Sequence, residues 1–212
     1  MPVIWVNSQD LWYNMAKPDF SKLTHDNIVA FIGDIFERRG AESYLGEQVT
    51  MSEHMLQGAW LAEQEGAADD LVAAALLHDI GHYTSEFGTY SPDDTKDKHH
   101  DEAGAEMLAP FFPPVITECA RLHVAAKRYL CAADPGYFAR LSPASVHTLS
   151  LQGGPMNEEE IAAFEANPFH RQAVQVRIWD DGGKVPGMKT RAFGDYAGLL
   201  QRVVDSHLAA QV

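Results

Sequence analysis

The stretch Asp69-Asp70-Leu71-Val72-Ala73-Ala74-Ala75-Leu76-Leu77-His78-Asp79-Ile80-Gly81-His82 decides how the chain is read. An acidic pair opens it, strong helix formers fill it, and a histidine and an aspartate close it side by side. Acidic residues suit a helix N-terminus, so the pattern predicts a helix that delivers His78-Asp79 at its C-terminal end. So apolar a run must be buried, and it takes the dyad inside with it. Isolated histidines flank the dyad, His54 upstream and His100 and His123 downstream, and a late aspartate follows. A carboxylate has two oxygens and can bridge two cations while the imidazole beside it ligates one. The order therefore points to a dinuclear metal centre.

Working outward from the dyad, helices dominate. Asn27 to Arg39 places Ile28, Phe31, Ile32, Ile35 and Phe36 at helical spacing, with Gly40 where a C-terminal cap would fall. Ser52 to Glu65 repeats the pattern and closes at Gly66. Tyr83 to Lys98 is polar, turn-rich and aperiodic, which marks a loop bordering the site. Asp101 to Leu108 reads as a short helix and Val115 to Leu130 as a long one that carries His123 and Lys127 on one face. Asn157-Glu158-Glu159-Glu160 has the form of a capping box leading to another short helix. Phe169 to Asp181 and Phe193 to Ala210 bring the helical count to seven or eight. With little alternating pattern and no repeat, the fold class expected is all-α, with residues 1–20 as an N-terminal arm ahead of a single domain over 21–212.

Composition narrows the function. The 212 residues are 46% hydrophobic, enough for one sizeable core. A net charge of −14 and a pI near 5.0 disfavour nucleic acid or an anionic membrane as partner. Cys119 and Cys131 form no CxxC pattern, so neither a disulfide framework nor a thiolate zinc site is indicated, and a cytoplasmic setting is expected. No run approaches the roughly 20 apolar residues of a membrane span.

Taken singly, each candidate has an ordinary structural reading: a lone histidine satisfies a core contact, and a lone lysine lies on a solvated face. Together they do not, because several imidazoles and a carboxylate among apolar neighbours need a partner, which metal ligation supplies. His99 and His100 diverge by about 100 degrees on a helix, so both cannot be assumed ligands, and His100 is favoured. Asp180 and Asp181 pose the same choice, and Arg177 could pair with either. Nitrogen and oxygen ligands without thiolate leave iron, manganese, zinc and magnesium all open. Lys127, Arg177 and His82 beside such a centre would make an anion pocket, suited to a phosphate or phosphonate, to which Ser145 and Thr148 could add hydroxyls.

The strings His78-Asp79-Ile80-Gly81-His82-Tyr83, His123-Val124-Ala125-Ala126-Lys127-Arg128-Tyr129-Leu130, Gln152-Gly153-Gly154-Pro155-Met156 and Trp179-Asp180, with His54 and His100, resemble the HD-domain mixed-valence diiron oxygenases that cleave the carbon–phosphorus bond of 1-hydroxyphosphonates. The resemblance runs from about Tyr44 to the C-terminus and implies a single HD-domain helical bundle. It implies two iron ions, Fe(II)/Fe(III), with O2 as co-substrate: His54, His78, Asp79 and Asp180 on one ion, and the bridging Asp79 with His100 and His123 on the other. It further implies His82, Lys127, Ser145 and Arg177 as phosphonate contacts. Tyr44-Leu45-Gly46-Glu47 matches a loop whose tyrosine holds the open iron position until substrate arrives and whose glutamate faces the substrate nitrogen, so that Tyr44, Glu47 and Lys127 stand as the catalytic side chains. The substrate implied is (R)-1-hydroxy-2-(trimethylammonio)ethylphosphonate, cleaved to glycine betaine and phosphate and made by an upstream hydroxylase. 2-Amino-1-hydroxyethylphosphonate, giving glycine, is the alternative. Trp5, Trp12, Tyr13, Phe87 and Tyr90 are the aromatic candidates to surround a trimethylammonium group.

Three other classes compete. A metal-dependent phosphohydrolase would use the same ligands to attack a phosphate ester with metal-bound water. A sensor domain could keep the ligands without catalysis, and a related diiron site could oxidise a polyol, against which Lys127 and Arg177 argue for an anion.

Overall fold

The computed structural model describes residues 20–84 and 95–211. Phe20 packs edge-on against Phe31 of the first helix, α1 (Ile28–Arg39), with ring centroids 6.2 Å apart. The remainder of the expected arm, with Trp5, Trp12 and Tyr13, lies outside the described residues, as do Phe87 and Tyr90. Gly40 ends α1 in the right-handed region, φ −60, not the left-handed cap its position suggested. Helix α2 (Met51–Gln64) begins at a reciprocal capping box between Thr50 and Glu53. Helix α3 (Asp69–Leu77) follows the predicted run, and His78 is its C-cap.

Part of the expected loop is helical: α4 (Gly81–Thr84) takes its first residues, and α5 (His100–Leu108) starts at His100. Helix α6 (Pro114–Ala133) is longer than predicted at both ends, with Pro114 in the first turn, where a missing N–H costs nothing. A 3-10 turn (Phe138–Arg140) leads to α7 (Pro143–Leu151), capped by Ser142. Helix α8 (Glu158–Ala166) starts at the predicted Asn157–Glu160 capping box, and α9 (His170–Gly182) and α10 (Phe193–Ala210) complete the chain. Ten α-helices among the described residues exceed the seven or eight expected, because two short ones lack a periodic signal. The only β pairing among those residues is an isolated bridge between Ser43 and Thr50, so the fold is all-α.

Ile32, Met55, Leu76, Leu77 and Ile80 are fully buried, each contributing roughly 1.5–3 kcal/mol. Three buried stripes depart from this apolar rule. Along α2 the buried face reads Met51, His54, Met55, Gly58 and Ala59; along α6 it reads Ile116, Cys119, Ala120, His123, Ala126 and Lys127; along α9 it reads Ala173, Val176, Arg177 and Asp180. Helices α2, α3, α6 and α9 pack on one another, so these polar positions meet at the centre of the bundle. Gly81 brings the last group in. A Cβ there would lie 1.7 Å from the His100 carbonyl oxygen, and only glycine lets α4 approach α5 closely enough to set His82 beside His100.

Candidate metal centre

Asp79, carried just past the end of α3, stands between two sets of imidazoles. Its Oδ2 lies 3.3 Å from His54 Nε2 and 3.4 Å from His78 Nε2. Its Oδ1 lies 3.2 Å from His123 Nε2, 3.4 Å from His100 Nε2 and 3.7 Å from His82 Nε2. Asp180 closes the first set, with Oδ1 3.5 Å from His54 Nε2 and Oδ2 3.8 Å from His78 Nε2. All seven side chains are buried. Each carboxylate oxygen of Asp79 thus serves its own group of nitrogens, as a bridge between two cations requires.

The hydrogen bonds on the far sides of the rings show that the cluster fits metal ions. Nδ1 of His54 donates to the Gly183 carbonyl at 2.9 Å, Nδ1 of His78 to the Ala75 carbonyl at 2.8 Å, and Nδ1 of His123 to the Ala120 carbonyl at 2.7 Å. A ring whose proton is held at Nδ1 presents a bare lone pair at Nε2. Yet Nε2 of His54 and His78 face each other at 3.2 Å, and those of His100 and His123 at 3.0 Å. Lone pairs converging in this way repel unless a cation or a proton sits among them. The charge balance agrees. Burial alone would push His78 down, but Asp79 and Asp180 hold its pKa up at about 9. Burial would raise Asp79, yet the surrounding imidazoles keep it well below the usual carboxylate range. The pocket demands positive charge, and two divalent or trivalent ions would supply it.

The adjacent-residue choices separate cleanly. His100 is buried against Asp79, while the side chain of His99 is 66% exposed and faces Asp97. Asp180 faces the imidazoles, while Asp181 accepts from Arg177, Tyr137 and Lys184. Arg177 pairs with both aspartates: Nη1 meets Asp180 Oδ2 at 2.7 Å, and Nη2 meets Asp181.

Above the ligands opens a cleft lined by Tyr44, His82, Lys127, Ser145, Thr148 and Arg177 among others. Lys127 Nζ donates to Thr148 Oγ1 at 2.8 Å, and burial together with Arg177 pulls its pKa down to about 7. His82 stacks on His100 with ring centroids 4.0 Å apart, close enough to act as ligand or as cleft donor. Tyr44 lies over His54 at the start of a tight turn. Leu45 and Gly46 both have positive φ, 49 and 79, and Glu47 N–H donates to the Tyr44 carbonyl at 2.7 Å, a type I′ pattern. Glu47 is not among the cleft-lining residues, but its Oε1 is buried and has no hydrogen-bond partner among the described residues.

Sequence reasoning missed Lys184, Ser142 and Tyr137. Lys184 Nζ reaches Ser145 Oγ at 3.1 Å and Asp181 Oδ1 at 3.2 Å, and Tyr137 Oη accepts from Arg177 Nε at 3.1 Å. Lys184 stands four and three residues after Asp180 and Asp181, a spacing that could have found it, whereas Ser142 and Tyr137 come from a separate stretch of chain with no such signal.

A helical bundle with a His-Asp dyad shared between two histidine sets defines a metal-binding HD domain. Residues 51–171 match the HD domain family, and the chain belongs to it. Asp180 comes from beyond the matched stretch. Over 196 residues, 92% of this chain and 100% of the relative, it is 60% identical to the (1-hydroxy-2-(trimethylamino)ethyl)phosphonate dioxygenase (glycine-betaine-forming) of Leisingera caerulea. It is 47% identical over 156 residues, 73% of this chain and 78% of the relative, to the hydroxymethylphosphonate dioxygenase of Gimesia maris. An uncharacterized protein of Acanthamoeba polyphaga mimivirus is 32% identical over 169 residues, 79% of this chain and 77% of the relative.

Proposed function

We propose that the protein is a diiron oxygenase, Fe(II)/Fe(III), that cleaves the C–P bond of (R)-1-hydroxy-2-(trimethylammonio)ethylphosphonate with O2 to give glycine betaine and phosphate. The observation that carries this reading is the Asp79 carboxylate, shared between two imidazole sets, at the floor of a cleft whose wall carries Lys127 and Ser145. The identity of the Leisingera caerulea relative, over its full length, supports the substrate.

His54, His78, Asp79 and Asp180 would hold one iron, and Asp79, His100 and His123 the other. His82, the farthest of the five imidazoles from Asp79, is left to donate to the phosphonate. When bound, the iron pair supplies oxygen activation at C1. The chain's residues do the rest. Lys127 and Ser145 clamp the phosphonate, so the C1–H and C1–O bonds are held in one orientation, a positioning effect that can supply several kcal/mol. The Tyr44 ring covers His54 and keeps water from that side. Glu47 offers an unpartnered carboxylate oxygen to the cationic nitrogen.

The stoichiometry closes without an external reductant. The carbon fragment gains one oxygen on becoming a carboxylate, phosphorus gains one on becoming phosphate, and one O2 accounts for both. The substrate's C1 hydroxyl must come from a preceding hydroxylase. Two free thiols, Cys119 and Cys131, suit a cytoplasmic setting; among the described residues no helix is long and apolar enough to cross a membrane.

The test is aerobic turnover of iron-loaded, partly reduced protein, with O2 uptake and phosphate release followed together. Trimethylammonium and primary-amine hydroxyphosphonates are compared side by side. Equal uptake and release, faster with the trimethylammonium compound, is the expected result. Faster turnover of the amine would make 2-amino-1-hydroxyethylphosphonate the substrate, and phosphate from ordinary esters without O2 uptake would make the protein a phosphohydrolase.

A further inference from the structure

Lys184 lies beyond the end of α9, behind the cleft wall, and is not among the residues that line the cleft. Its ammonium is 3.1 Å from Ser145 Oγ, 3.2 Å from Asp181 Oδ1 and 3.5 Å from Asp180 Oδ1. Ser145 Oγ and Asp181 Oδ1 take two of its three N–H bonds, while Asp180 Oδ1 stands at ion-pair distance and accepts no hydrogen bond among the described residues. Lys184 is thus held against Asp181 and the back of Ser145, away from the cleft lining.

Ser142 approaches the same hydroxyl from the other side. As N-cap of α7, its Oγ accepts from Ser145 N–H at 3.2 Å, and its own proton turns to Ser145 Oγ at 3.2 Å. Ser145 Oγ thus receives two donors, which occupy both of its lone pairs. What remains is its own proton. Ser145 is buried on the cleft wall, and no hydrogen bond among the described residues takes that proton. Thr148 is the contrast: it accepts from Lys127 and donates to the Ser145 carbonyl at 3.2 Å, so its proton is used within the protein.

We propose that Lys184 and Ser142 are positioning residues that make the Ser145 hydroxyl an obligate donor into the cleft, fixing it for an acceptor-only tetrahedral oxyanion. The inference rests on the reading of the cleft as a phosphonate site. Thr148, by the same accounting, aims Lys127 and does not touch the ligand.

The experiment uses the metal-loaded protein and sulfate, measured as a competitor of turnover and by calorimetry, with metal content and KM against kcat recorded for each variant. Ser145→Ala, Lys184→Met and Ser142→Ala should each weaken sulfate and raise KM, by about tenfold for the first two, the scale of a hydrogen bond to a charged group. Lys184→Met combined with Ser145→Ala should bind no more than about twofold worse than Ser145→Ala alone, because the lysine acts through the serine. Multiplying losses would show Lys184 holding the anion itself and overturn the proposal. Ser142→Ala touches no metal ligand, so its metal content should stay full while sulfate weakens; unchanged affinity there overturns the proposal even if Lys184→Met fails to fold. Wild-type protein that binds no sulfate would remove both the oxyanion reading of the cleft and this inference. Wild-type binding with both positioning variants unchanged would remove the inference alone.

Discussion

The ring of Tyr44 lies flat against the imidazole of His54, with centroids 3.7 Å apart and planes 14° from parallel. Stacking fixes the ring, while the hydroxyl points toward the carboxylates. Burial, then Asp79 and Asp180, hold the phenol protonated well above its usual pKa. Its function therefore divides into a face, which packs, and an oxygen, which can meet a cation.

Tyr44→Phe separates the two. The stacked face survives, so stability should change by less than about 1 kcal/mol, the scale of one hydrogen bond. Turnover should persist, and the visible spectrum of the metal-loaded, substrate-free protein should shift if the oxygen meets a metal there. An identical spectrum would show that it does not.

Asp79→Ala removes the one group that faces both imidazole sets. Changing a residue that merely supports a ligand costs 10–100-fold in metal affinity, so loss of the shared carboxylate should cost at least about 100-fold at both positions. Metal content after dialysis against a weak chelator decides the point. Two metals retained per chain would falsify the bridging assignment.

Gly81→Ala tests how the fold sets the site. A Cβ at Gly81 would collide with the His100 carbonyl and lie 2.7 Å from Gly104 N, and backbone atoms cannot turn aside as a side chain does. The expected outcome is a loss of about 3 kcal/mol or more, with weaker metal binding on the His100 and His123 side. Denaturant melts of the metal-free and metal-loaded protein separate the two effects. A melt unchanged from wild type would mean that α4 and α5 can part without cost.

Much of this arrangement was legible in the chain, and the exceptions have physical causes. His78-Asp79 could be read because a helix with an apolar face on every side leaves its last residues nowhere to go but inward. That His99 and His100 should not both ligate was readable from the angle between neighbours on a helix, but the choice of His100 is made by the structure, where His99 is the left-handed N-cap outside α5. Asp180 over Asp181 did not, because both lie near the end of α9 and only the packing of α9 on α2 and α6 decides between them. Tyr137 reaches Asp181 from a distant stretch of chain that carries no periodic signal, whereas Lys184, three residues after Asp181, stood at a helical spacing that could have been read. Tyr44 and Glu47 stood out by family resemblance alone, since a four-residue turn has no pattern of its own.

Lys127 makes the anion site sensitive to pH in a direction that can be stated in advance. Burial and the neighbouring Arg177 lower its pKa from 10.5 to about 7 in the folded protein. Between those values the unfolded chain binds the extra proton and the folded one does not, so this group's contribution to stability grows as pH rises from about 7 toward 10.5. Anion binding runs the opposite way. A tetrahedral oxyanion needs the ammonium form, so the free protein must take up a proton at Nζ as pH passes above 7, and affinity should fall by up to about tenfold per pH unit there. Sulfate is the suitable probe, because its own charge is constant over this range. Its dissociation constant, followed from pH 6 to 9 by calorimetry in buffers of different ionisation enthalpy, should rise with uptake of up to one proton. In Lys127→Ala the uptake should vanish and the affinity should be low and flat. A wild-type profile as flat as the variant's would mean that Nζ keeps its proton throughout, and that Thr148 and the aspartates of α9 outweigh burial and Arg177.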